Sequence, residues 1–260
     1  MNKIYLIYFI GVSQLFSAVT LYEGFDSKVG ETGWLTGWHR LAGEVDTSEL
    51  DLSLQGLESS GGALDLTKKG EAIAQHNISM SNHYYGSFRV QAKELKNDTV
   101  LGLLLSRPMN SELSPKTATL SFLAKGWRSE FGTLLVGGRP IKVTEGFPIQ
   151  AGKTYLIAFQ ITNTADNQSV RMWILNEDQA DYYGKNRKFK YRTLNKAPLS
   201  ESAEGVMQRV HYQLDKKQAI QLRSGDVVAC ISKFCPKALF DEIKLSELSL
   251  NDAVGVKAKK

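Results

Sequence analysis

The chain has 260 residues, 42% of them hydrophobic and 23% charged, with 32 Lys and Arg against 27 Asp and Glu. That is enough apolar material for a full core, and it excludes a disordered or collagen-like chain. A net charge of +5 is mild for this size, and two cysteines exclude a disulfide-dense scaffold or a Cys₄ zinc module.

The N-terminus reads as an export signal. Lys3 precedes an apolar run from Ile4 to Phe16, and Ser17-Ala18 supplies small residues for a cut after Ala18. The run is short for a membrane span of about 20 residues. Residues 1–18 are therefore expected as a signal peptide, 19–250 as one domain and 251–260 as a disordered basic tail. The expected location is secreted, periplasmic or cell-surface. Nucleic acid is disfavoured as a partner by export, and no membrane association is expected after cleavage.

Leu21 to Asp26 reads as a first strand, followed by Gly-Trp-Leu-Thr-Gly-Trp at 33–38. Residues 39–61 look polar and irregular. Strands are then expected near 62–66, 71–78, 84–94, 99–106, 117–124, 130–136, 154–162 and 168–176. The clearest pair is 153–176. There Tyr155, Ile157, Phe159 and Ile161 share one face, and Val170, Met172 and Ile174 share another, the period of a half-buried antiparallel strand. Thr164 to Gln168 links them with turn chemistry. Residues 177–205 break the rhythm as a polar, basic and aromatic insertion, and strands resume near 206–213, 218–223, 227–231 and 238–245. No stretch of twelve or more residues carries a helical period. Many short strands and no dividing linker predict an all-β sandwich of two antiparallel sheets.

Three segments, taken in order, resemble one family. Leu-Tyr-Glu-Gly-Phe-Asp at 21–26 with Thr-Gly-Trp-Leu-Thr-Gly-Trp at 32–38, the hairpin ending Val170-Arg171-Met172-Trp173-Ile174-Leu175-Asn176, and Ala238-Leu239-Phe240-Asp241-Glu242-Ile243 are similar to exported bacterial concanavalin A-like (LamG-type) proteins. The resemblance implies a jelly-roll β-sandwich with first and last strands adjacent. It also implies a structural calcium where those strands meet, with Glu23 and Asp241 as ligands; the other reading makes these strand-end carboxylates paired with Lys or Arg. Function varies across such folds.

The insertion is the leading candidate for binding. Arg187, Lys188, Lys190 and Arg192 are interleaved with Tyr183 and Tyr191, a pattern that pairs with carboxylates or sulfates and stacks on sugar rings. A solvated loop pinned by its aromatics is the plain alternative. Trp34 and Trp38 flank a glycine turn, either as a sugar platform or as a plug at one end of the sandwich. Cys230 and Cys235 fit a small-loop disulfide or a pair of thiols, with export favouring the first.

Two catalytic templates stand beside these. Glu44-Val45-Asp46-Thr47-Ser48-Glu49 has the Glu-x-Asp-x-x-Glu spacing of laminarinase-type glycoside hydrolases, but lies early and lacks their apolar residues between the acids. Jelly-roll polysaccharide lyases set Tyr, His, Arg and Gln or Asn on one face. Here Arg209 and His211 share a strand face with Tyr212 opposite, without those enzymes' Gln-Ile-His motif. The functional expectation is a secreted, non-catalytic carbohydrate-binding protein for an acidic polysaccharide, with a hydrolase, a lyase or a structural surface protein as alternatives.

Overall fold

A computed structural model describes residues 19–25, 39–42, 44–59, 61–67, 71–77, 83–96, 99–107, 118–125, 133–141, 146–164, 168–214, 226–233, 235 and 237–257. The first-strand cluster is β1 (Val19–Glu23), β2 (His39–Ala42) and β3 (Glu44–Ser48). Then come β4 (Ala63–Thr67), β5 (Glu71–Asn77), β6 (His83–Ala92), β7 (Val100–Ser106), β8 (Leu120–Lys125), β9 (Thr133–Val136) and β10 (Arg139–Pro140). The central hairpin is β11 (Thr154–Asn163) and β12 (Gln168–Leu175). After it follow helices α1 (Glu177–Lys185) and α2 (Tyr191–Lys196), then β13 (Gln208–Gln213), β14 (Val227–Lys233), β15 (Lys237–Ser246) and α3 (Leu250–Ala253).

The strands form two sheets. One runs β13-β12-β11-β6-β15-β4-β3 with β1 also on β15; the other runs β10-β9-β8-β7-β14-β5-β2. Every pairing between strands is antiparallel. This is the expected all-β sandwich of two antiparallel sheets, with β1 and β15 adjacent as the resemblance implied.

Alternation builds the core. Ile157, Phe159 and Ile161 of β11 and Val170, Met172 and Ile174 of β12 face inward, against Leu101, Leu103 and Leu105 of β7 and Phe122 of β8. Phe122 and Phe159 stack across the sandwich with ring centroids 4.0 Å apart. Phe159 lies opposite Gly86, where an added Cβ would fall 2.1 Å from the ring. A glycine is needed at that crossing because the ring occupies the space of a side chain.

The sequence predicts a half-buried hairpin, and the structure buries it on both faces. Leu156, Ala158, Trp173 and Leu175 point away from the core, yet all are at most 1% exposed. They form a second apolar cluster with Ala180 and Tyr183 of α1, Leu194 of α2, and Leu250 and Val254. The polar, basic and aromatic insertion at 177–205 therefore contains the two helices that roof this sheet. The apolar alternation of β11 and β12 already carries both faces, with Leu156 and Ala158 between the core residues.

Two further expectations change. Residues 39–48 include strands β2 and β3 rather than an irregular stretch. Of the segment expected as a disordered tail, residues 251–257 are described: α3 runs to Ala253 with its N-cap at Ser249, and Val256 bridges to Leu57. Leu250 and Val254 anchor it in the second cluster. Residues 1–18, the strand expected at 218–223, and Trp34 and Trp38 lie outside the described residues.

Candidate functional site

Helix α1 begins where chemistry asks it to. Asn176 accepts from the Gln179 N–H at 2.9 Å, and Gln179 Oε1 accepts from the Asn176 N–H at 3.1 Å. Glu177 and Asp178 sit in the first turn and Lys185 in the last, complementing the helix dipole. Past Asn186, Arg187 takes a left-handed φ of 53° and turns the chain back, with the Lys188 N–H donating to Tyr183 O at 2.9 Å. Phe189 then plugs into the cluster beside Tyr183, and α2 follows. Arg209 Nη1 secures the end of α2 by donating to the carbonyl oxygens of Leu194, Asn195 and Ala197.

Between α1, α2 and the following loop lies a groove of about 470 Å³, lined by Tyr182, Tyr183, Lys188, Arg192, Thr193, Lys196, Ala197, Pro198 and Glu204. Lys188 Nζ donates to Tyr182 Oη at 2.9 Å and lies 4.9 Å from its ring centroid. The Tyr182 contact holds the Lys188 ammonium above its usual pKa, so it is charged across neutral pH. Tyr183 donates to Glu204 O at 2.6 Å, and burial pushes its phenol up to about 12. Lys188, Arg192 and Lys196 thus face one acid, Glu204, across the groove.

The residues named from the sequence divide here. Lys188 and Arg192 line the groove and Tyr183 forms its wall, 2% exposed, so its ring is core. Arg187 and Lys190 are exposed beside it as turn and N-cap of α2. Tyr191 turns to the other side of α2, its ring 4.7 Å from the Arg171 guanidinium. Thr193 and Lys196 were not singled out; their spacing from Arg192 becomes legible only once α2 is a helix.

The remaining candidates are placed elsewhere. The acidic run occupies β3, an edge strand of its sheet, with Asp46 and Glu49 exposed, not the mid-sheet cleft that a hydrolase needs. Cys230 and Cys235 are both buried, and the expected disulfide between them is not formed in this structure. Cys230 lies within β14, and the extended run to Lys233 carries the chain about 10 Å away before Cys235. Cys235 Sγ lies 3.1 Å from Lys237 O and 3.4 Å from Glu94 O, and burial raises its pKa.

Asp241 is fully buried beside a bulge where Glu242 takes a φ of 49°. Its oxygens accept from the Leu52 N–H at 3.2 Å and the Glu242 N–H at 2.7 Å. Burial, then the Glu242 charge, pushes its carboxyl up to about 8, against the lowering field of Arg89. Lys244 reaches Glu58 at 2.7 Å and Glu242 at 3.9 Å, and lies 4.2 Å from the Tyr22 ring centroid. These surroundings do not fit a calcium: Asp241 is spent on backbone donors, and Arg89 and Lys244 supply the positive charge. The Glu23 side chain lies outside the described residues. No cluster of three His, Cys, Asp or Glu forms among the described residues.

No protein-family model matches the chain, and no curated protein matches it. Solved structures do. The globular domain of Trypanosoma cruzi calreticulin superposes with a TM-score of 0.53 at 10% identity, covering 88% of each chain. Domain 4 of AbnA, a GH43 extracellular arabinanase from Geobacillus stearothermophilus, in complex with arabinotriose, gives 0.50 at 14% identity over 92% of this chain and 97% of that one. Lectin II from Ulex europaeus gives 0.49 at 13% identity over 87% of this chain and 97% of that one. The fold is the concanavalin A-like jelly roll.

Proposed function

We propose that this protein is an exported, non-catalytic carbohydrate-binding module for an acidic polysaccharide, held at the groove between α1 and α2. The observation that carries the reading is the set Lys188, Arg192 and Lys196 around one concavity, none of them ion-paired with a carboxylate among the described residues. A carboxylated or sulfated sugar chain supplies the missing anions, and the Tyr182 ring offers a flat apolar face for a pyranose. An exported location follows from the N-terminal reading. The fold is compatible with a sugar ligand, since AbnA domain 4 is in complex with arabinotriose. Fold alone does not assign the role, so the groove carries the argument.

The test uses residues 19–260 in affinity electrophoresis through gels holding neutral, polyuronate or sulfated polysaccharides, with product release assayed on the same samples. Retardation by the anionic gels alone, without products, is expected. Retardation by none, or release of products, overturns the proposal.

A further inference from the structure

The outward face of the β13-β12-β11-β6 sheet changes character half-way along its strands. One half is the apolar cluster under the helices, ending at Ala158 and Trp173. Two residues further along each strand, the same face turns polar: Gln160 on β11 and Arg171 on β12. Their register makes a continuous row, because Tyr85 opposes Gln160, Gln160 opposes Arg171, and Arg171 opposes His211. Four strands at about 4.8 Å spacing make a polar band about 14 Å across.

The row is unusual in what it leaves unmet. Gln160 Oε1, Arg171 Nε and, one step further on, Ser169 Oγ are shielded from solvent and have no hydrogen-bond partner. Buried donors and acceptors left this way are costly, and a ligand that satisfies them recovers that cost. Arg171 pairs with no carboxylate among the described residues. Its guanidinium carbon lies 4.7 Å from the Tyr191 ring centroid, which holds the cation against that ring. His211 beside it keeps part of its ring in contact with the sheet, and that partial burial, then the Arg171 charge, lowers its pKa.

We infer that the row Tyr85, Gln160, Arg171 and His211, capped by Tyr191, is a second ligand subsite that receives the carboxylate of a uronic-acid residue. The donor edge of a stacked guanidinium matches a planar carboxylate bidentately, better than a point charge would. The Gln160 and Ser169 acceptors suit sugar hydroxyls, so a polyhydroxylated acid satisfies both kinds of group at once. Tyr191 and Arg192 are consecutive in α2 and serve the row and the groove respectively, so one glycan chain is placed to run over α2 from one to the other. The inference rests on the acidic-glycan reading above for its ligand class, and on different residues for its geometry.

The experiment is a titration of residues 19–260 with trigalacturonate and with its methyl ester. Calorimetry gives affinity, and the His211 imidazole resonances, assigned by a His211→Gln variant, give place. Trigalacturonate is expected to move the His211 signals. Arg171→Lys is expected to weaken binding about tenfold, since it removes one bidentate charge-assisted contact, and esterification, which neutralises all the carboxylates of the trimer, is expected to weaken it further. Arg171→Lys keeps a cation under Tyr191, so a role confined to packing leaves affinity unchanged there. Ester binding equal to acid binding, an unaltered Arg171→Lys, or silent His211 signals each overturn the inference. A Lys188→Ala, Arg192→Ala, Lys196→Ala variant separates the two readings. Loss of polysaccharide retention with the His211 response kept leaves both standing as distinct sites. Retention in the wild type with no His211 response removes the second subsite alone.

Discussion

Asp241 and Arg89 hold the chain at one residue of the loop between β3 and β4. Leu52 gives its N–H to Asp241, and its carbonyl accepts from Arg89 Nη1 at 3.2 Å. Arg89 also donates to Glu58 O. A carboxyl raised to about 8 in the folded chain binds a proton that the unfolded chain, near 3.8, has released. Its contribution to stability is therefore complete below about pH 4 and is lost as pH rises toward 8. Thermal unfolding of wild type and Asp241→Asn from pH 5 to 8 is expected to show the wild type losing stability relative to the variant; parallel profiles would contradict this. Asp241 was singled out only through the family resemblance, as a ligand implied for a calcium where first and last strands meet. Its partners were not, because Arg89 and Leu52 come to it only through the pairing of β15 with β6 and the path of a distant loop.

At the scale of elements, strands were legible and helices were not. The apolar alternation located β4 to β9 and β11 to β15 within a few residues. Helices α1, α2 and α3 have nine, six and four residues, too few for a 3.6 period to emerge. One local signal was available: Asn176-Glu177-Asp178-Gln179 is a capping-box pattern with acids in the first turn. Helix α3 hid because a basic, polar terminus reads as a tail, while Leu250 and Val254 at i and i+4 are what dock it. Leu250→Ala is expected to destabilise the chain by about 2–5 kcal/mol in urea unfolding, the range for a buried leucine truncated to alanine. A change within experimental error would mean that the segment after β15 does not pack on the sheet.

For the whole molecule, the run of short strands was enough for a two-sheet sandwich, and the family resemblance added the adjacency of first and last strands. The polar row was beyond reach because positions 85, 160, 171 and 211 share nothing in sequence spacing. Register across four strands brings them together, and register is set by the full set of pairings. His211 and Arg209 looked equivalent on one strand face, yet Arg209 is consumed at the end of α2 while His211 stays outward. The basic insertion was legible as a candidate because charge and aromatic content are local properties. That three of its cations share a groove required the helices.

Recognition of an acidic glycan by those cations is tested by calorimetric titration of residues 19–260 with polygalacturonate, set beside the Lys188→Ala, Arg192→Ala, Lys196→Ala variant. Saturable binding by the wild type is expected, weakening as salt rises. In the variant it falls by at least about tenfold, with the unfolding midpoint unchanged. Equal binding by both proteins, or heat from neither, would contradict it.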